Sequence, residues 1–285
     1  MNDQVKIPCM FIRGGTSRGP YFLKSDLPSD INKRDKILLA AMGSPDLRQI
    51  DGLGGAEPVK SKVAIIDKSS EEGIDIDYYF AQVKIDKPIV DTKPSCGNIL
   101  VGVGPYAIEK GLVEAKNGET SIIVRDKNTG MKIEQIVQTP NKQVQYDGNF
   151  KIDGVPTPGS PIKLKFLDII GSQTNKLFPS GNKIDEIDKI KFTLIDCAVP
   201  MVIFKATDLG LKGSESFEQL NENKTLIEKM NTIRIKIAKK VGLGDVTNSV
   251  LPKTAIVIKP DKADIKSRYF MPWDCHPAYA VTGSM

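Results

Sequence analysis

Histidine occurs once in the 285 residues, at His276, and the lack of a second imidazole removes whole classes of chemistry. Multi-histidine metal centres are excluded, and a histidine-based catalytic triad would have to use that one side chain. The four cysteines, Cys9, Cys96, Cys197 and Cys275, lie far apart with no CxxC pair. That spacing argues against a zinc knuckle or a redox dithiol and for reduced thiols, so no metal is expected. Aromatic residues make up only 6% of the chain, and 40 Lys+Arg are mixed with 35 Asp+Glu to a net charge of +5. Without a basic stripe and stacking aromatics, nucleic acid is not an expected partner; the small positive balance favours anionic small molecules. No run approaches the ~18 consecutive apolar residues of a membrane span, and the N-terminus lacks a charged-then-apolar leader. A cytoplasmic protein without a membrane partner is expected. There is no Walker A sequence. Gly102-Val103-Gly104-Pro105-Tyr106-Ala107 formally reads GxGxxA, but it follows Ser95-Cys96-Gly97-Asn98, with no strand leading into it, and contains a proline.

What is present is a series of short β patterns: Val5 to Ile12, Val63 to Ile66, Ile74 to Phe80, Ile122 to Val124, Ile133 to Val137, Val144 to Tyr146 and Ile162 to Phe166. Two helical patterns interrupt them. One is Lys33 to Met42; the other runs from Asn98 to Lys110 and stops at Gly111. The second is apolar nearly all round, which predicts a helix enclosed by protein. The pattern breaks at Phe178-Pro179-Ser180-Gly181-Asn182, placing a domain boundary between 183 and 184. Beyond it the element order repeats: a helix from Phe217 to Val241, strands Thr254 to Ile258 and Arg268 to Met271, then Thr282-Gly283-Ser284 where the first half has Ser95-Cys96-Gly97-Asn98. In the first half that small-residue turn opens the apolar helix; in the second half it meets the last residue. The expected fold is α+β, with strands wrapped around a central helix in residues 1–183 and a second such domain in 184–285 lacking its own central helix.

Several residues carry chemistry. Cys96 stands at the start of the enclosed helix, where unpaired backbone N–H groups and the macrodipole favour an anion or a thiolate. An inert buried thiol at a helix cap is the alternative. Lys60 and Lys62 project to one face of a strand and Ser61 to the other. If Lys62 faces inward, burial beside another ammonium makes it a general base; otherwise both lysines are exposed at a strand start. Arg13-Gly14-Gly15-Thr16-Ser17-Arg18-Gly19 offers hydroxyls and guanidiniums suited to anionic oxygens, or is simply a polar turn. Gly52 to Gly55 is either a close-approach loop or a tight turn, and His276 is a substrate contact or a structural histidine.

These segments together, with Gln49-Ile50-Asp51-Gly52-Leu53-Gly54-Gly55-Ala56, Ser61-Lys62-Val63-Ala64 and His276-Pro277-Ala278-Tyr279-Ala280-Val281-Thr282-Gly283, resemble the PrpF-like isomerase family of 2-methylaconitate, 3-methylitaconate and oxalomesaconate isomerases. The resemblance implies a diaminopimelate-epimerase-like fold, two pseudo-repeated β-barrels each around a central helix, with a cofactor-free site between them. It implies Lys62 as general acid/base and Cys96 as the active-site cysteine. Ser17, Gly97 and Asn98 become substrate contacts from the first domain, and Gly283 and Ser284 from the second. Family members run on beyond the segment matching Thr282-Gly283, so the second domain is expected to be truncated. The implied reaction is a 1,3-proton shift in a small unsaturated di- or tricarboxylate; a homo-oligomer is compatible with it. An amino-acid racemase or epimerase of the same fold and a non-catalytic carboxylate-binding fragment are the alternatives. Racemases of this kind place a cysteine at both helix starts, whereas here Cys96 is matched by Thr282-Gly283-Ser284.

Overall fold

Alternation along one strand sets the layering of the first half of the chain. In β3 (Lys62–Lys68), Val63 and Ile65 point to one face and Ala64 and Ile66 to the other, and all four are buried. A strand buried on both faces needs a cover on each. In the computed structural model, which describes residues 5–167, 169–260, 262–277 and 279–284, helices supply both covers. On one side lies α1 (Ile31–Met42), started by the Asp30 carboxylate accepting from Lys33 N at 2.8 Å and ended at Gly43, whose φ of 73° suits glycine. Its Leu38 and Met42 pack with Val63 and Ile65. On the other side, Ala64 and Ile66 pack with Ile99, Leu100, Val103 and Tyr106 of two short helices, α2 (Gly97–Leu100) and α3 (Val103–Glu109).

The sheet that carries these layers has eight strands. Its order is β1 (Met10–Gly14), β2 (Ser17–Leu23), β3, β4 (Ile76–Val83), β6 (Gly118–Asp126), β7 (Lys132–Thr139) and β8 (Lys163–Leu167), with β5 (Val90–Asp91) also paired to β4. A second sheet has the order β14 (Asp274–Cys275), β13 (Lys266–Met271), β12 (Lys253–Ile258), β11 (Val199–Lys205), β10 (Ile190–Cys197) and β9 (Asp185–Ile187). One of its faces packs on α5 (Lys224–Lys240) through Met230, Ile233 and Ile237 against Phe192, Phe204 and Phe270. The strand senses repeat. Both β1–β2 and β10–β11 are antiparallel, β2–β3 and β11–β12 parallel, and β3–β4–β5 and β12–β13–β14 antiparallel.

The structure departs from the sequence pattern at four main points, and strand β1 begins at Met10 where the pattern begins at Val5. The enclosed helix is not continuous from Asn98 to Lys110: it breaks at Val101–Gly102, because Pro105 has no N–H to give the Val101 carbonyl, which accepts from Gln135 Nε2 at 2.6 Å. The helix expected over Phe217 to Val241 is two, α4 (Phe217–Glu222) and α5, separated at Asn223, whose ψ of 75° is non-helical and whose side chain caps Leu226 N. No strand forms over Val144 to Tyr146, whereas Ser17–Leu23, which contains Gly19 and Pro20, is one.

The fourth point is the division of the chain. It falls into two compact units, Met1–Leu167 and Asp168–Met285, so the segment before 183/184 belongs with the second. The reason is Asp196 on β10. Its fully buried carboxylate accepts from Ser172 Oγ, Gln173 N, Thr174 N and Thr174 Oγ1 at 2.6–2.8 Å, while its own N–H donates to the Leu177 carbonyl. Truncating this hub leaves several buried donors without an acceptor, so Asp196→Ala should lower the unfolding free energy by about 2–4 kcal/mol in urea titrations. A loss below about 0.5 kcal/mol would show that the 172–177 segment is not held this way.

Candidate active site

The turn between β1 and β2 and the start of α2 are in direct contact through glycines. A Cβ on Gly14 would overlap the Asn98 carbonyl, and one on Gly15, at φ 53°, would overlap the Asn98 side-chain oxygen. Asn98 Nδ2 in turn donates to Thr16 Oγ1 at 3.0 Å. Ser17, buried at the first position of β2, pairs with Gly14 beside this contact. One rung on, Gly19 approaches so closely to Lys62 that a Cβ there would overlap the Lys62 carbonyl. The first unit therefore brings Ser17, Lys62, Gly97 and Asn98 to neighbouring backbone segments, with Cys96 as the N-cap of α2.

Strand β4 organises this cluster from one face. Tyr78, Phe80 and Gln82 alternate onto the same side. The Tyr78 hydroxyl donates to the Cys96 carbonyl at 3.2 Å. The Lys62 ammonium lies 4.9 Å from the centre of the Phe80 ring and donates to Gln82 Oε1 at 2.9 Å. Gln82 is itself fixed by donating to the carbonyls of Pro58 and Ser61. Lys62 is half-buried with a neutral amide partner, so its charge is left for a ligand. The approach to α2 is also anchored. Asn128 takes the N–H of Phe80 and donates to the carbonyls of Phe80, Thr92 and Pro94, while Ser95 Oγ donates to the buried Asp126 carboxylate. Burial pushes the Asp126 carboxyl up, against the hydrogen bonds that hold it down.

The first intrahelical bond of α2 runs from Leu100 N to the Cys96 carbonyl, leaving the N–H groups of Gly97, Asn98 and Ile99 ahead of it as the turn's open donors. In the second unit, Gly283 and Ser284 line a pocket of about 290 Å³ together with Ile195, Met201, Ile203 and Ala255. The Gly283 N–H donates to the Ala280 carbonyl and the Ser284 N–H to the Val281 carbonyl.

Other sequence candidates resolve as supports. Lys60 is ion-paired with Glu57 at 2.6 Å near the surface and lies outside β3, which begins at Lys62. Gly52 abuts the end of α1, in a loop built around buried Gln49, which bonds Ser44 and Ser61. The His276 ring packs edge-on to Tyr269 at 5.8 Å, and the His276 backbone N–H donates to the Tyr269 carbonyl. Ser180 and Asn182 cap Asp185. Ala278 of the His276–Gly283 segment lies outside the described residues. Tyr78, Gln82 and Asn128 were not among the sequence candidates. Their signal is positional, since Gln82 stands opposite Lys62 in the β3–β4 register.

The family model described as "PrpF protein" matches residues 4–285. The chain belongs to the PrpF family. It is 48% identical over 281 residues to YbhH of Escherichia coli (strain K12), named as an isomerase, covering 98% of this chain and 80% of that one. It is 47% identical over 279 residues to the (4E)-oxalomesaconate Delta-isomerase of Novosphingobium sp. (strain KA1), covering 98% and 78%. Among solved structures, that of methylitaconate-delta-isomerase superposes with a TM-score of 0.86 at 36% identity, covering 99% of this chain and 79% of that one. As in these PrpF relatives, the activity is that of an isomerase.

The glycine contacts make the site sensitive to a single methyl group. Gly14→Ala must push the β1–β2 turn off Asn98, and should cut catalytic turnover at least tenfold while the far-UV circular dichroism stays native. Full activity in a folded Gly14→Ala protein would show that this contact does not set the site.

Proposed function

We propose that this PrpF protein catalyses a cofactor-independent 1,3-proton shift, as double-bond migration or cis-trans isomerisation, in a small unsaturated di- or tricarboxylate. The observation that carries the reading is the placement of Lys62. A lysine with no carboxylate partner among the described residues stands on the same face of the β3–β4 pair as the tyrosine that holds the Cys96 carbonyl. The likeness to isomerases acting on oxalomesaconate and methylitaconate supports the substrate class.

In this mechanism a substrate carboxylate seats on the N–H groups of Gly97 and Asn98, with the Ser17 hydroxyl beside them. Lys62, in its amine form, removes an allylic proton made acidic by the conjugated carboxylate. The electron pair moves into the dienolate, and the N–H donors hold the added charge, each contributing a few kcal/mol in sites of this kind (about 2.7–4 for one oxyanion donor). Reprotonation two carbons away shifts the double bond. Cys96 orients the substrate or delivers a proton from the start of α2. Having Cys96 in one unit and Thr282-Gly283-Ser284 in the corresponding turn of the other favours this shift over a two-thiol racemisation.

The test is an NMR assay of methylaconitate, methylitaconate, aconitate and oxalomesaconate in deuterated buffer. Wild type should interconvert isomers of at least one and incorporate solvent deuterium, and Lys62→Ala should be slower by about 10²–10⁴-fold, the usual contribution of a positioned general base. Undiminished turnover by Lys62→Ala would remove the lysine from the mechanism, and deuterium entering amino acids alone would replace the reaction.

A further inference from the structure

Lys62, Gln82 and Asp91 form one row across three strands of the first unit. Lys62 is paired with Gln82 in the β3–β4 register and Gln82 with Asp91 in the β4–β5 register, so the three residues share a face of the sheet. An amide therefore stands between an amine and a carboxylate. Neighbouring strands lie about 4.8 Å apart, which puts the Asp91 backbone two spacings, roughly 10 Å, from that of Lys62. The Asp91 carboxylate accepts from Lys93 N at 3.0 Å.

The bonds on its nitrogen leave the Gln82 amide one orientation. Nε2 donates to the Ser61 carbonyl at 2.8 Å and to the Pro58 carbonyl at 3.1 Å, so both N–H bonds are committed to the chain that leads into β3. Ser61 is held in turn: its carbonyl accepts from Val83 N and its hydroxyl from Gln49 Nε2. With the nitrogen fixed on that side, Oε1 meets the Lys62 ammonium at 2.9 Å. A glutamate here would set its second oxygen against two carbonyl oxygens, and an aliphatic side chain would give Lys62 no acceptor. The titratable groups of the elements around Lys62 are Tyr21 on β2, Tyr78 on β4, Asp91 on β5, Cys96 at the start of α2, and the Lys60–Glu57 pair of the preceding turn. Among the described residues, the side chain that hydrogen-bonds Lys62 is Gln82.

We propose that Gln82 is a positioning residue of the isomerisation: its amide, locked on Pro58 and Ser61, aims the Lys62 amino group and gives it an acceptor that carries no charge. This deepens the isomerase reading above and rests on it. As an amine, Lys62 still donates an N–H to Oε1, which leaves its lone pair directed away from Gln82 and free to take a proton. A carboxylate in the same place would hold the ammonium and withhold that lone pair.

The test uses the four substrates of the preceding assay. Gln82→Met, similar in length but without the amide, should lower kcat at least tenfold with KM within threefold, and should have no further effect in a Lys62→Ala background. In Gln82→Glu, the rise of kcat/KM with pH that follows formation of the free amine should move upward by about one unit, the lower end of the shift that an opposite charge at this distance imposes. A folded Gln82→Met protein within threefold of wild type, or Gln82→Glu with the wild-type pH profile, overturns the proposal, and an inactive Lys62→Ala then leaves the isomerase reading standing alone. If wild type turns over none of the four substrates, the isomerase reading is what has failed. Gln82 is then judged by competitive acetic-anhydride labelling of Lys62 in the intact protein across pH, read by peptide mass spectrometry. A labelling midpoint raised by about one unit in Gln82→Glu supports the contact and the neutral acceptor; a midpoint equal to that of wild type overturns them.

Discussion

A broken helix enclosed by a sheet leaves backbone groups that neither water nor the helix can satisfy, and the first unit is arranged around meeting that demand. Pro105 interrupts the ladder between α2 and α3. The freed carbonyls of Leu100 and Val101 are taken by Gln135 Nε2, and the Gly104 N–H donates to the same side chain's Oε1 at 2.8 Å. Tyr21 donates to the Ile99 carbonyl and Tyr78 to that of Cys96. Gln135 and both tyrosines are fully buried, so each donor would itself be unsatisfied without the helix. Helix and sheet thus specify one another's position through polar contacts, while the surrounding Ile, Val and Leu contacts supply non-directional attraction.

That mutual fixing is what makes the start of α2 usable as a site. The carbonyls of the helix are occupied from the sheet side, while the N–H groups of its first turn point away from that set of bonds and stay open. Asn128 fixes where the chain leaves β4 and enters the 92–94 segment, and the glycines at 14, 15 and 19 let the β1–β2 hairpin approach both α2 and β3 at backbone distance. Cys96 and Lys62 are then positioned by the same strand, β4, through Tyr78 on one and through Phe80 and Gln82 on the other. In the proposed reaction such a preorganised pair needs no reorganisation when charge develops on the substrate.

The residues proposed to act in the first unit were legible in the chain because each sits where a pattern changes: Lys62 where an apolar strand begins, Cys96 where an apolar helix begins, Ser17 after a run of glycine and hydroxyl residues. The enclosed helix was legible from its lack of a polar face, but its break was not, since that depends on Gln135, a polar residue in an otherwise alternating strand over thirty positions away. Strand β2 was missed because Gly19 and Pro20 weaken a local β pattern. Only the close approach to Lys62 explains that glycine. Gln82 was missed for a different reason: its meaning comes from register across strands, which one-dimensional periodicity does not carry.

Arg234 links architecture to electrostatics in the second unit. It is fully buried, and the acceptors around its guanidinium are the carbonyls of Val246, Ser249, Leu251 and Pro252 and the Asn231 side chain. Burial brings it down to about 10, which still leaves it charged at neutral pH. Carbonyl dipoles, not a counter-ion, offset the cost of that charge, and they fix the 246–251 segment just before the chain enters β12. Because no carboxylate among the described residues neutralises it, the same positive charge disfavours the ammonium of Lys253, the first residue of that strand. Lys62 enters its strand from residues 58–61, tied down by the neutral Gln82 amide. Lys62 and Lys253 each open a strand that pairs in parallel with the second strand of a hairpin, β3 with β2 and β12 with β11, but differ in what holds the preceding loop.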